Sequence, residues 1–219
     1  MIMARDNIAK SQRLVIFVEG DTDEVFFKAL LEYYKALSAN PLTPCEVYNL
    51  KGVTRYTSKL LAKLKNEILP EARSKNESIQ AICCSYDTDV FEVRNPLMVN
   101  WDSIRKSIKR MGIDNFIQIG VRSSIEDWIL DDIEGVCIYL KLKQMPKVLK
   151  GENGYAKLCS LYANARRTYS KGYATREMIK SLDFGKIRTK RLPALSELER
   201  VLGKTNATDA TTTTGACSM

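Results

Sequence analysis

The chain of 219 residues contains no histidine. That absence removes the Ser-His-Asp and Cys-His nucleophilic arrangements, histidine-ligated zinc and histidine as a general base. Any hydrolytic chemistry must then run on carboxylates, lysine, a bare nucleophile or metal-activated water. Cysteines with metal or redox spacing are lacking too. The six cysteines (45, 83, 84, 137, 159 and 217) form no C-x-x-C pair and suit small apolar core residues in a reducing compartment. No apolar run approaches the roughly 18–20 residues needed to cross a bilayer, and residues 1–13 are polar and mixed in charge, unlike a secretory leader. A soluble, cytoplasmic protein with no membrane partner is the expectation. A Walker A loop and a G-x-G-x-x-G fingerprint are both missing, which removes the commonest nucleotide binders. No internal repeat is visible.

What is present is ordinary for a globular chain: 45% hydrophobic and 27% charged residues. This length suits one domain with an extension, and buries enough surface to fold without disulfide or metal staples. Short β-rich runs lie at 14–18, 45–50, 79–84 and 116–121. The first, LVIFV, is apolar throughout, as in a parallel strand buried on both faces. Between and after these runs, 3.6-residue periodicity predicts helices over 22–38 (Thr22 as a cap), 56–69 (closed by Pro70), 101–111 and 125–142. Strand and helix thus alternate four times, which predicts an α/β fold: a doubly wound, mostly parallel four-stranded sheet. Residues 1–140 form that unit. Residues 141–203 read as a basic helical extension, with helices over 155–167, 176–182 and 194–202. The low-complexity stretch 204–219 is expected to be a disordered tail.

In an open α/β sheet, ligands bind beyond the carboxyl ends of the strands. Three predicted strands deliver acids there: Glu19 after the first, Asp87 and Asp89 after the third, Glu126 and Asp127 beyond the fourth. If the third strand continues through Asp87 and Asp89, both side chains face one way. Asp23 lies one helical turn from Glu19, and Ser124 offers a hydroxyl ligand or a helix cap. Any one of these acids alone fits a helix N-cap or dipole partner. The set at three strand ends instead calls for a cation among them. A hard divalent ion with oxygen ligands, Mg²⁺ or Mn²⁺, matches that donor set.

Taken together, Val18–Asp23 (VEGDTD) after a hydrophobic strand and Asp87–Asp89 (DTD) after another resemble the TOPRIM domain of topoisomerases, primases and certain nucleases. The pattern is most similar to OLD-family nucleases and small standalone TOPRIM nucleases, which share the Glu-Gly-x-x-Asp form carried here by Glu19 to Asp23. The Gly52 turn before a lysine-rich helix, and Ser124-Ile125-Glu126 after the fourth strand, also fit. The resemblance covers about residues 13–140 and implies a Rossmann-like fold with Mg²⁺-dependent phosphodiester chemistry. It further implies a role in defence against phage, or in RNA processing, and a partner ATPase or other defence protein. Nothing beyond this unit is long enough for a topoisomerase tyrosine domain or a primase zinc domain.

The expected activity is therefore a metal-dependent nuclease. Glu19, Asp87 and Asp89 hold the first ion; Asp23, Ser124 and Glu126 support a second or orient its waters. Lys171, in a glycine-flanked turn, is either a solvated surface lysine or the cation that stabilises the leaving oxygen. Charge adds a second argument. Residues 141–203 carry 15 basic and 5 acidic residues, whereas 1–140 carry 18 and 20. Tyr155, Tyr162, Tyr169 and Tyr173 are interleaved with Lys157, Arg166, Arg167 and Lys171, which suits phosphate contacts with base stacking; tyrosines in a helical core under a solvated basic face are the other reading. RNA or DNA is the expected partner. Two rivals remain: a TOPRIM module that binds nucleic acid or protein without cutting, and a phosphotransfer protein of the response-regulator type. The second expects its acid pair after the first strand, where this chain has it after the third.

Overall fold

A computed structural model describes residues 10–89 and 99–203. Its strands run over Ser11–Val18 (β1), Cys45–Asn49 (β2), Glu77–Asp87 (β3) and Asn115–Val121 (β4), in the spatial order β2-β1-β3-β4, and every neighbouring pair is parallel. The expected class is the one observed. The readings of the leader before residue 10 and of the tail after 203 fall outside the described residues.

Alternation along β1 divides the molecule into two layers. Leu14, Ile16 and Val18 face one core with Ala81, Cys83, Ile119 and Val121. That core is covered by α1 (Asp21–Leu37), α5 (Ile125–Ile129), α6 (Ile133–Tyr139), α7 (Gly154–Asn164), α8 (Arg176–Lys180) and α9 (Phe184–Leu202). Val15 and Phe17 face the other core with Ile82 and Cys84, under α2 (Lys59–Lys63), α3 (Leu69–Ser74) and α4 (Trp101–Arg110). The five described cysteines are free thiols, buried or half-buried. Leu158, Leu161, Met178, Leu195 and Leu198 share the first core with the sheet, so the helices after residue 150 belong to the same hydrophobic layer. Gly154 makes one of these contacts possible: a Cβ there would come within 2.6 Å of the Asp127 backbone nitrogen.

Several local expectations change. Pro70 does not close its helix. A π-helical turn over Leu64–Ile68 precedes it, and the chain runs on as α3 to Ser74. The wider turn accommodates a residue with no N–H to give and a ring that crowds the preceding turn. Gly20, not Thr22, caps α1. The helix expected over 125–142 is broken at Leu130–Asp132, and the last helix begins ten residues early and carries Pro193 inside it. The strand condition on the paired aspartates also fails: β3 ends at Asp87.

Candidate active site

From β1 the chain crosses to β2 on one side, whereas β3 lies on the other. The carboxyl ends of β1 and β3 therefore flank a topological switch point, where open α/β sheets leave a crevice. Here it is a cavity of about 320 Å³, lined by acids from three elements and one lysine: Glu19, Asp21 and Asp23, Asp87, Glu126 and Lys171. Backbone geometry fixes each acid. Glu19 follows β1 and accepts the Asp87 N–H at 3.3 Å, which ties the two strand ends together. Asp87 accepts the N–H of Ile125 at 3.1 Å, so the start of α5 is held on the end of β3. Asp23 is buried in the first turn of α1, and Glu126 is fully buried in the first turn of α5.

Lys171 reaches the cavity through a glycine. Gly172 has φ +81° and lies so close to α1 that a Cβ would meet the Asp21 Cβ at 3.1 Å. Its N–H donates to Thr22 Oγ1 at 2.8 Å, across 150 residues of sequence. This is what Thr22 does instead of capping. The docked turn puts Lys171 Nζ 3.1 Å from Glu126 Oε1, while the buried Tyr169 hydroxyl donates to the same oxygen at 3.3 Å. The Lys171 ammonium also sits 5.1 Å from the Tyr155 ring centroid.

Burial and mutual repulsion make Glu19, Asp23 and Asp87 hard to ionise. Burial, then Asp23, Glu19 and Glu126, push Asp87 up to about 9. Burial, then Glu19, push Asp23 up to about 7. Glu19 is raised mainly by burial, against the N–H groups of Asp87 and Val53 that favour its charge. For Lys171, burial pulls downward, but Glu126, Asp87 and Asp23 outweigh it and hold the ammonium above the ordinary lysine value.

Two oxygens in this cluster, Asp23 Oδ1 and Glu126 Oε2, are buried without a hydrogen-bond partner. A buried carboxylate oxygen with no donor is costly, and a cation satisfies it. The donors are all hard oxygens, the set that Mg²⁺ or Mn²⁺ takes. Among the described residues no three Cys, Asp or Glu side chains converge as a ready-made metal cage. A Mg²⁺-type ion needs none, since it keeps several waters and takes one or two carboxylates.

Other expected site residues lie elsewhere. Asp89 is exposed and outside the cavity lining, because Thr88 N–H bonds Val121 O and Asp89 N–H bonds Ser123 O, turning the chain over the end of β4. It still acts on Glu19 and Asp87 through charge. The Ser124 hydroxyl donates to Asp127 Oδ2 at 3.1 Å. Lys157 is half-buried on α7 and Arg166 is exposed just past its end. Arg167 lies over the Tyr139 ring at 4.9 Å and donates to its hydroxyl. None of these three lines the cavity. The residues that sequence reasoning missed here are Thr22, Gly172 and, as a hydrogen-bond donor, Tyr169. A glycine beside a lysine between two tyrosines was the available signal.

No family model matches the chain, and no curated protein matches it. Among solved structures, it is similar to the C-terminal region of the Burkholderia pseudomallei OLD protein, at 13% identity and a TM-score of 0.31, over 86% of this chain and 83% of that one.

Proposed function

We propose that the chain is a divalent-metal-dependent hydrolase of nucleic-acid phosphodiesters. One observation carries the reading: four carboxylates, Glu19 just after β1, Asp23 on α1, Asp87 at the end of β3 and Glu126 on α5, gather with one lysine in the crevice at the switch point. Glu19 and Asp23 of the first TOPRIM-like motif, Asp87 of the second and Glu126 after β4 line that crevice. Glu19 and Asp87 would hold the ion, with Asp23 and Glu126 as further direct or water-bridged ligands. Bound there, Mg²⁺ or Mn²⁺ lowers the pKa of water and offsets charge on the phosphoryl oxygens.

The protein's own groups supply the rest. Lys171 stays cationic in the cavity lining, 3.1 Å from Glu126, where it would stabilise the departing oxygen. Tyr169 and Lys171 together hold one oxygen of Glu126, while the other is buried without a hydrogen-bond partner. The N–H groups of Asp87 and Ile125 lock Glu19 and Asp87 in place before substrate arrives, so little reorganisation accompanies the reaction. The exposed Lys143, Lys147 and Lys150, between α6 and α7, would attract the polyanion.

The test is cleavage of labelled RNA, plasmid and single-stranded DNA with Mg²⁺, Mn²⁺ or EDTA. Metal-dependent cleavage lost in Glu19→Ala and Asp87→Ala supports the proposal. Binding without cleavage under every metal condition favours the non-cutting module instead.

A further inference from the structure

Gly172 lines the acidic cavity, and the next residue, Tyr173, lines a second and larger one of about 580 Å³. Its floor is apolar, built from Val25, Ala29, Leu182 and Phe184, and charged side chains of both signs stand at its edge: Lys28, Arg176 and Lys180 with Glu32, which pairs with Lys35, while the Tyr173 hydroxyl donates to Glu24. The two cavities also share α1. Asp21 and Asp23 line the first, and Val25 onward lines the second. At 1.5 Å per residue the apolar groove begins within about one helical turn of the acids, a step that one strand of nucleic acid spans in one or two nucleotides.

Exposure separates the tyrosines of this region. Tyr162 and Tyr169 are buried in the core, whereas Tyr155 and Tyr173 keep 43% and 51% of their surface exposed, and both flank Lys171. The Arg176 guanidinium lies 5.7 Å from the Tyr173 ring centroid and makes no ion pair with any described residue. Lys28 and Lys180 are held by Glu24 and Glu177. A half-exposed ring beside an unpaired guanidinium, above an apolar floor, suits a base stacked at one side and a phosphate at the other. Duplex bases have their faces covered, so only an unpaired base enters such a groove.

We propose that this groove seats unpaired bases of a single-stranded segment next to the scissile phosphate, with Tyr173 as the stacking face and Arg176 as the phosphate contact. The inference rests on the nuclease reading and adds its substrate class. An apolar peptide or a second copy of the chain is the competing occupant, and the unpaired Arg176 beside an acid-lined phosphodiester site favours the polyanion.

Binding is measured by fluorescence anisotropy on the full chain carrying Glu19→Gln, with a labelled single-stranded oligonucleotide and with the same sequence as a blunt duplex. The single strand is expected to bind at least ten-fold tighter. Tyr173→Ala weakens single-strand binding about ten-fold and leaves the duplex unchanged, while Tyr173→Phe restores it. Ala29→Trp, which fills the groove without touching the acidic cavity, gives the same loss. Equal affinity for strand and duplex, or a neutral Tyr173→Ala and Ala29→Trp in folded protein, overturns the groove assignment while cleavage by the wild type leaves the nuclease reading standing. Failure of the chain to bind any nucleic acid overturns both. A change in sedimentation on Tyr173→Ala with oligonucleotide affinity intact assigns the groove to a protein and overturns the proposal.

Discussion

Four other carboxylates, Asp23, Glu19, Glu126 and Asp89, act on Asp87, and burial alone already penalises its charge. Its pKa, like those of Asp23 and Glu19, is raised above the unfolded value. The sign follows: a raised group stabilises the fold fully below its unfolded pKa, and that stability is lost as pH rises through the folded pKa. In EDTA, the melting temperature is expected to fall from pH 5 to pH 9, with the loss beginning above about 4 and completing near 7 for Asp23 and near 9 for Asp87. Mg²⁺ should restore stability most at the alkaline end. Thermal melts across that range, with and without the ion, check both. At pH 8 the unfolded chain ionises Asp87 while the fold keeps it largely protonated, a cost that Asp87→Asn removes. In EDTA at pH 8 the substitution should raise the melting temperature by about 2–4 °C, roughly 1 kcal/mol, and abolish the Mg²⁺ response. A melting temperature that drops in Asp87→Asn contradicts that account. These acids were legible because each follows an apolar run that can only be a strand. The outward turn at Asp89 depends on hydrogen bonds to Val121 and Ser123 at and just past the end of β4, which no local pattern records.

Among the elements, the turn at 169–173 matters most for chemistry. Gly172 is tied to Thr22 on α1 and has a left-handed backbone. Gly172→Ala places a Cβ 3.1 Å from the Asp21 Cβ, so we expect it to cost about 1 kcal/mol or more and to lift Lys171 from the cavity. Cleavage should fall far more than the melt changes; parallel losses would reduce the turn to packing alone. Within α9, which carries Pro193, Arg188 binds Glu199 at 2.5 and 2.7 Å. Glu199 is buried, so Glu199→Ala should destabilise by about 2 kcal/mol in urea unfolding, with little effect on metal binding. The alternation of strands and helices was readable from periodicity. The start of α9 was not, because the run 186–191 is so basic that its helical spacing was hidden. Asp183 caps that helix through the N–H groups of Gly185 and Lys186.

Across the molecule, the structure redistributes the basic excess. Lys186 pairs with Asp132 and Glu134, and Lys190 and Arg191 pair with Asp131. The most basic run of the sequence is thus a clasp between α9 and the acids around α6. Lys143, Lys147 and Lys150 make no ion pair with any described residue and are exposed. Replacing those three by glutamine should lower the salt slope of nucleic-acid binding, by about 0.7 for each single-strand phosphate that is no longer neutralised. Replacing Lys186 and Arg191 should lower stability and leave the slope unchanged. Equal slopes for both sets would mean that net charge alone governs binding. Sequence arithmetic located the excess but not its partners, since the neutralising acids lie 50 to 60 residues away.

Titration of Mn²⁺ into the full chain by calorimetry at pH 8 tests the central claim most directly. The account predicts one or two ions bound with release of a proton mainly from Asp87, and loss of that binding in folded Glu19→Gln/Asp87→Asn protein. No binding to the wild type, or the same binding and proton release in the double variant, would contradict it.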